Sequence, residues 1–216
     1  IRLETAFGGG KTHNLIALYH AANGYAPGPG FVEAKLIPPP GAVRTVGMVG
    51  SDSQPRDGFN HGDATTYTLW GELAYQLGGA AGYARVAGSD QDRSAPGTKW
   101  LEELIGDRPT LILLDEIARH LRAAKAVPTV TGKSDLAEQT VAFLMSLLGF
   151  AASQKQVVVV FTLADSGDAF ARETEAVRQE LAEARRISAR QERVITPTGE
   201  AEMPAIVTHR LFRHVD

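Results

Sequence analysis

The residues best placed to do chemistry come early in the chain. Phe7, Gly8, Gly9, Gly10, Lys11, Thr12 and His13 set three glycines, a cation and a hydroxyl between a short apolar segment and a helical pattern. In a phosphate-binding loop, glycines let backbone N–H groups turn inward around phosphate oxygens. The lysine reaches the outer phosphates, and the hydroxyl after it ligates magnesium. A helix beginning at the loop adds the positive end of its dipole. On this reading residues Phe7 to His13 bind a nucleotide such as ATP, Lys11 supplies the charge and Thr12 is a Mg2+ ligand. The full pattern G-x-x-x-x-G-K-[ST] would put its first glycine at Thr5, so a β-branched residue enters the loop. The alternative is a Gly-rich turn with an incidental lysine, and for His13 a helix-surface or packing role.

Such a loop needs a partner, a buried strand ending in acids. The run PTLILLDE, Pro109 to Glu116, supplies one about a hundred residues later. Asp115 would complete the magnesium site and Glu116 would polarise the attacking water; the alternative is that the two acids cap the following helix. Phosphoryl transfer is mostly positioning and charge neutralisation, so further polar groups should converge on the γ-phosphate. Thr162, closing the run VVVVFT, is the candidate sensor, and the alternative is a threonine that merely suits a strand. Arg190 and Arg193, in a cluster with Arg185 and Arg186, are candidates for an arginine finger on a neighbouring subunit's nucleotide. Their alternative is solvated pairing with Glu180 and Glu183. No His/Asp/Glu spacing resembles a zinc site, and no serine sits in a G-x-S-x-G setting. Trp70, Trp100, Tyr67 and Tyr75 lie in Leu-rich helical faces, where aromatic residues are usually core.

The elements that must position these groups alternate. A helix is predicted from Thr12 to about Ala22, a strand over Val43 to Gly50, and a helix from Thr66 that Gly78 and Gly79 stop. A short helix follows in GTKWLEELIG, then the strand Pro109 to Glu116 with a basic helix after it. Ser134 or Asp135 is the expected cap of a long apolar helix. QVVVVFTLAD is the most β-prone segment. A charged helix from roughly Asp168 to Gln191, a short strand in RVITPTG and a last helix complete the series. Residues 24–41 read as a Gly/Pro-rich insertion around a short strand, FVEAKLI, and residues 51–63 as a loop. Strands alternating with helices imply an α/β fold with a mainly parallel sheet covered on both faces.

Aliphatic and aromatic residues make up 44% of the 216 and charged residues 22%, the balance of one globular domain with a core. A net charge of -3 gives no global pull toward nucleic acid. Cysteine is absent, so disulfides and thiolate metal sites are excluded. With no signal segment or membrane span in the sequence, the expectation is a cytoplasmic domain with no membrane partner. The chain opens inside a strand and without Met, which gives the expectation that residues 1–216 are a segment of a longer protein.

Four stretches together, FGGGKTHNLIALYH, TLWGELAYQLGG, TLILLDEI and TPTGEAEMPAIVTHRLF, resemble the prokaryotic AAA-type P-loop ATPases known as DUF499, a domain of unknown function. The similarity is patchy but runs from end to end, and TLWGELAYQLGG is its most distinctive part. The resemblance implies an AAA-like P-loop NTPase core of three αβα layers, with Lys11, Thr12, Asp115 and Glu116 holding and hydrolysing ATP with Mg2+ and Thr162 at the sensor position. It places a finger among the arginines before TPTGE, and a helical lid beyond Asp216. It further implies a motor domain in a homo-oligomer or larger anti-phage defence complex, any nucleic acid being engaged through other domains. Two other mechanisms stay open: a nucleotide-gated assembly switch with little turnover, and a small-molecule P-loop kinase.

Overall fold

A computed structural model describes residues 1–4, 10–25, 33–163, 172–175, 177–179, 182 and 194–195. Five strands form one parallel sheet: β1 (Arg2–Glu4), β2 (Arg44–Val49), β5 (Thr110–Asp115), β6 (Val157–Leu163) and β7 (Val194–Ile195), in the order β2-β5-β6-β1-β7. The middle strands are the continuous apolar runs ILL and VVVF, as strands covered on both faces should be. A two-stranded antiparallel hairpin, β3 (Phe59–Asn60) and β4 (Thr65–Thr66), stands apart from that sheet.

The connections run in opposite directions across the sheet. From β1 the chain passes through α1 (Lys11–Ala22) to the far edge strand β2, and α1 packs over β5, β6 and β2. Its Leu15 joins Leu3, Leu113 and Val160 in a small cluster on that face. From β2 the order moves back to β5 and then β6. These connections contain α2 (Leu69–Tyr83), α3 (Ala87–Gln91), α4 (Lys99–Ile105), α5 (Ile117–Ala124) and α6 (Leu136–Ser153). They build the larger cluster on the opposite face, around Trp70, Leu73, Leu101, Phe143, Leu147, Ile112 and Leu114. Right-handed crossovers in two directions must place helices on both faces, and the result is a three-layer αβα arrangement. Trp70 and Trp100 both meet the Phe143 ring, so they are core residues.

Several expected boundaries shift for physical reasons. The second helix begins at Leu69, because Thr65 and Thr66 are spent in the hairpin and Thr68 is the cap, its Oγ1 accepting from Gly71 N at 3.0 Å. Gly78 and Gly79 do interrupt it: Gly79 takes φ 61° and ψ -154°, outside the helical range and permitted by glycine, and a further helical piece runs on to Tyr83. The strand expected in FVEAKLI is, over Ala34–Leu36, a single 3-10 turn with Leu36 exposed. A strand there would need a free edge, and β2's edge is occupied: Gly47 N donates to Gln76 Oε1 (2.9 Å) and Gln76 Nε2 donates to Gly47 O (2.8 Å). Asp135, not Ser134, caps α6 by accepting from Glu138 N at 2.9 Å. Among the described residues α6 is the one helix long and apolar enough to cross a bilayer, yet its Leu136, Phe143 and Leu147 are buried in the core. The charged helix expected to follow β6 is helical where described, at 172–175, 177–179 and 182. The last expected helix, at the carboxyl end of the chain, lies outside the described residues.

The distinctive stretch around Trp70 is organised by a buried acid. Asp90 Oδ1 accepts from Thr68 Oγ1 (2.5 Å) and Thr68 N (2.9 Å), Tyr67 N lies 3.2 Å from both carboxylate oxygens, and Tyr83 OH donates to Oδ2 at 3.0 Å. Burial holds the Asp90 carboxyl above its ordinary range, and these donors pull it partly back. Gly71 presses on the same carboxylate, where an added Cβ would lie 2.0 Å from Oδ1. Gly71→Ala should therefore lower stability by about 1–3 kcal/mol, seen as a lower urea midpoint at unchanged denaturant slope.

Candidate functional site

The carboxyl ends of β5 and β6 bring the expected acids and hydroxyl into contact. Asp115, buried at the end of β5, accepts on Oδ1 from Thr162 Oγ1 (2.6 Å) and from Glu116 N (3.0 Å). Glu116 N also reaches Thr162 Oγ1 at 2.9 Å. One carboxylate oxygen is thereby fixed by two donors. Oδ2 takes no hydrogen bond among the described residues.

Glu116 is not a capping residue of the ordinary kind. It precedes α5 in the left-handed region, φ 50° and ψ 38°, with no side-chain hydrogen bond to the helix. A non-glycine residue there is strained. Its partly exposed carboxylate lies 3.3 Å from the Arg119 guanidinium. The simpler alternative, that both acids merely cap a helix, therefore fails for Glu116.

The glycine segment leaves the same edge of the sheet. β1 pairs with β6 in the register Leu3↔Thr162 and Glu4↔Leu163, so the chain exits β1 beside Thr162. Residues Phe7, Gly8 and Gly9 lie outside the described residues. Gly10 is the cap of α1 at φ 78°, a conformation that suits glycine. Lys11, Thr12 and His13 form the first helical turn, Lys11 partly buried and the other two exposed. That turn contains no acidic residue and no side-chain cap, so nothing described offsets the positive end of α1. One strand, β6, separates β1 from β5, so the loop exit and the acids are about 10 Å apart in the sheet, not on opposite edges. Arg190 and Arg193 lie outside the described residues.

His120 and Ser53 escaped the sequence reading. His120, one turn beyond Glu116, is almost fully buried with Nδ1 2.9 Å from Ser53 Oγ and Nε2 3.4 Å from Thr140 Oγ1. It looked like one more member of a basic helix, and only the helical spacing from Glu116 could have marked it. A cleft of about 230 Å³ opens at the carboxyl end of β2, lined by Met48, Ser53, Phe59, Glu72 and His120 but by neither Asp115 nor Thr162. Beside it the His61 ring stacks on Tyr75 and pairs with Glu72 at 2.9 Å, with Thr66 Oγ1 donating to the same carboxylate at 2.6 Å.

Comparison with known families adds one result. The DUF499 N-terminal domain model matches residues 37–196, about three quarters of the chain. The chain belongs to the DUF499 family. That match spans Asp115, Glu116, Thr162 and the Arg190 and Arg193 positions, and it starts beyond the glycine segment. No curated protein and no solved structure matches the chain. The Trp70 stretch that first suggested DUF499 lies inside the matched region and is the Asp90-locked cap and core helix described above.

Burial lowers the His120 pKa to about 4. Unfolded, the ring titrates near 6.5, so between these values the unfolded chain binds the extra proton and stability rises with pH. This contribution is whole above about pH 6.5 and drains away toward pH 4, a loss of about 3 kcal/mol for a shift of this size. Urea unfolding of the parent protein and His120→Gln from pH 7.5 to 4 should show the parent losing more stability, the difference confined to that window.

Proposed function

We propose that this domain binds ATP with Mg2+ and hydrolyses its terminal phosphoanhydride, as the core of an AAA-type motor. The observation that carries the reading is the Asp115–Thr162–Glu116 cluster at the end of β5, one strand from the exit of β1 into Gly10, Lys11 and Thr12. The donor set fits a hard divalent cation, which prefers oxygen ligands: an Asp115 oxygen without a hydrogen bond among the described residues, and the Thr12 hydroxyl at the start of α1. Bound magnesium would neutralise charge on the phosphate oxygens as the bond breaks. The amino end of α1, which has no acid in its first turn and no side-chain cap, suits the phosphates themselves, with Lys11 beside it.

Glu116 carries the remaining task, orienting water for in-line attack. Thr162, on the strand interposed between the loop and the acids, keeps Asp115 in place and stands where a γ-phosphate sensor would. The interposed β6 supports the AAA-like form of the reading. An arginine finger from Arg190 or Arg193, assembly into a homo-oligomer, a cytoplasmic setting and a part in anti-phage defence rest on the family resemblance. A gated assembly switch with little turnover is favoured by one feature, the Glu116–Arg119 ion pair, which engages the carboxylate the chemistry needs.

In the full-length protein, Lys11→Ala should abolish tight Mg-ATP binding, while Glu116→Gln should retain binding and lose about 10²-fold or more in turnover. Phosphate release and an equilibrium nucleotide titration read the two effects separately. Parental turnover in both variants would sink the hydrolysis reading.

A further inference from the structure

The main chain at Glu116 is held from outside its own helix. Gly50, the residue that follows β2, donates its N–H to Asp115 O at 2.8 Å. It lies flush against the next carbonyl, since a Cβ on Gly50 would fall 2.1 Å from Glu116 O. Gly50 O in turn accepts from Ser53 Oγ at 2.8 Å, and Ser53 Oγ lies 2.9 Å from His120 Nδ1. His120 closes the ring, because Glu116 O accepts from Arg119 N at 2.9 Å and from His120 N at 3.4 Å. The outer side of the imidazole is set by Thr140 on α6, whose own hydroxyl donates to Leu136 O at 2.7 Å. With its hydroxyl hydrogen committed to Gly50 O, Ser53 accepts from Nδ1–H, which makes the neutral imidazole the Nδ1-protonated tautomer; Nε2 then carries a lone pair, and Thr140, whose hydrogen goes to Leu136 O, only packs against it.

A left-handed non-glycine residue persists only where its surroundings over-determine it. Glu116 makes no side-chain cap that would do so. Its N–H is held by Asp115 Oδ1 and Thr162 Oγ1, and its carbonyl is abutted by Gly50, which Ser53 and His120 brace in turn. We propose that Gly50, Ser53 and His120 act as a positioning latch that fixes the Glu116 backbone and thereby aims its carboxylate at the attacking water. The latch rests on the hydrolysis reading above, because it acts only through Glu116. None of its three residues belongs to the Asp115–Thr162–Glu116 cluster or to the Gly10–Thr12 start of α1. Their contribution is angular: moving the Glu116 carbonyl rotates the Cα–Cβ bond, and small misplacements of a catalytic group cost large factors in rate.

The test uses the full-length protein. Gly50→Ala displaces the Glu116 carbonyl and should lower kcat about 10-fold or more with nucleotide affinity within about two-fold of the parent. Ser53→Ala breaks the relay without adding bulk and should give a smaller loss in kcat, which Ser53→Thr, keeping the hydroxyl, restores. If Gly50→Ala does not fold, the Ser53 pair carries the test alone. In a Glu116→Gln background, neither substitution should lower single-turnover phosphate release further, since the group being aimed is gone. An active parent with undiminished kcat in both Gly50→Ala and Ser53→Ala would overturn the latch and leave the hydrolysis reading standing. So would losses that persist in full without the Glu116 carboxylate, or a Ser53→Thr variant as slow as Ser53→Ala. A parent that releases no phosphate would instead overturn the hydrolysis reading, and the latch with it.

Discussion

A carboxylate shared between two parallel strands sets the geometry of the whole candidate site. Asp115 ends β5 in a buried position, where an ionised group survives only if it is well provided with donors. Thr162 and the Glu116 amide supply them, and in doing so they tie the last residues of β5 and β6 together at the one edge where strands release their loops. Open α/β sheets put ligands outside the carboxyl ends of their strands, at the point where successive connections leave for opposite faces. Here that point falls at β1 and β6. The chain leaving β1 enters α1 on one face, while Val177, beyond β6, belongs to the cluster on the other. The acids, the Thr162 hydroxyl and the chain leaving β1 come to the same end of the sheet because its strands are parallel and release their chains there.

A second buried carboxylate performs a purely architectural task. Asp90 binds the residues just before α2, and Gly71 permits α2 to press against it. Burial beside Asp90 also pushes the Tyr83 phenol upward, so Tyr83 remains a hydrogen-bond donor at any working pH. The start of α2, its kinked end and the short α3 are thereby fastened at one point. Trp70 and Leu73 are carried into the core as a consequence, and the cleft beside β2 acquires a firm wall.

What could be read from residues alone divides along the same physical lines. β5 and β6 were legible because a strand covered on both faces must be continuously apolar, α6 because its apolar run and its Asp135 cap agree, and α1 because helix breakers bound it from Asn23 onward. The positions of Lys11, Asp115, Glu116 and Thr162 were legible because each falls at or beside a strand end or helix start that the pattern already marked. The hairpin β3–β4 was not, since two-residue strands held by a neighbour carry no period of their own. Asp90 was hidden in the polar run Gly88-Ser89-Asp90-Gln91-Asp92, whose meaning appears only when Gly71 is brought against it. The left-handed turn at Glu116 had no signal at all: the groups that hold it, Thr162 and Gly50 among them, are distant in sequence. The FVEAKLI strand was an error of the opposite sort, local β-propensity with no partner to satisfy it.

Gln76 occupies the place of a neighbouring strand. Its amide presents one donor and one acceptor to Gly47, as another polypeptide would, and Glu72 braces the amide through a 2.8 Å bond from Gln76 Nε2. An uncovered rim of this kind ordinarily invites a second molecule to lengthen the sheet. At Gly47 the β2 rim is satisfied from within, so a second chain could lengthen the sheet along β2 only by first displacing the Gln76 amide.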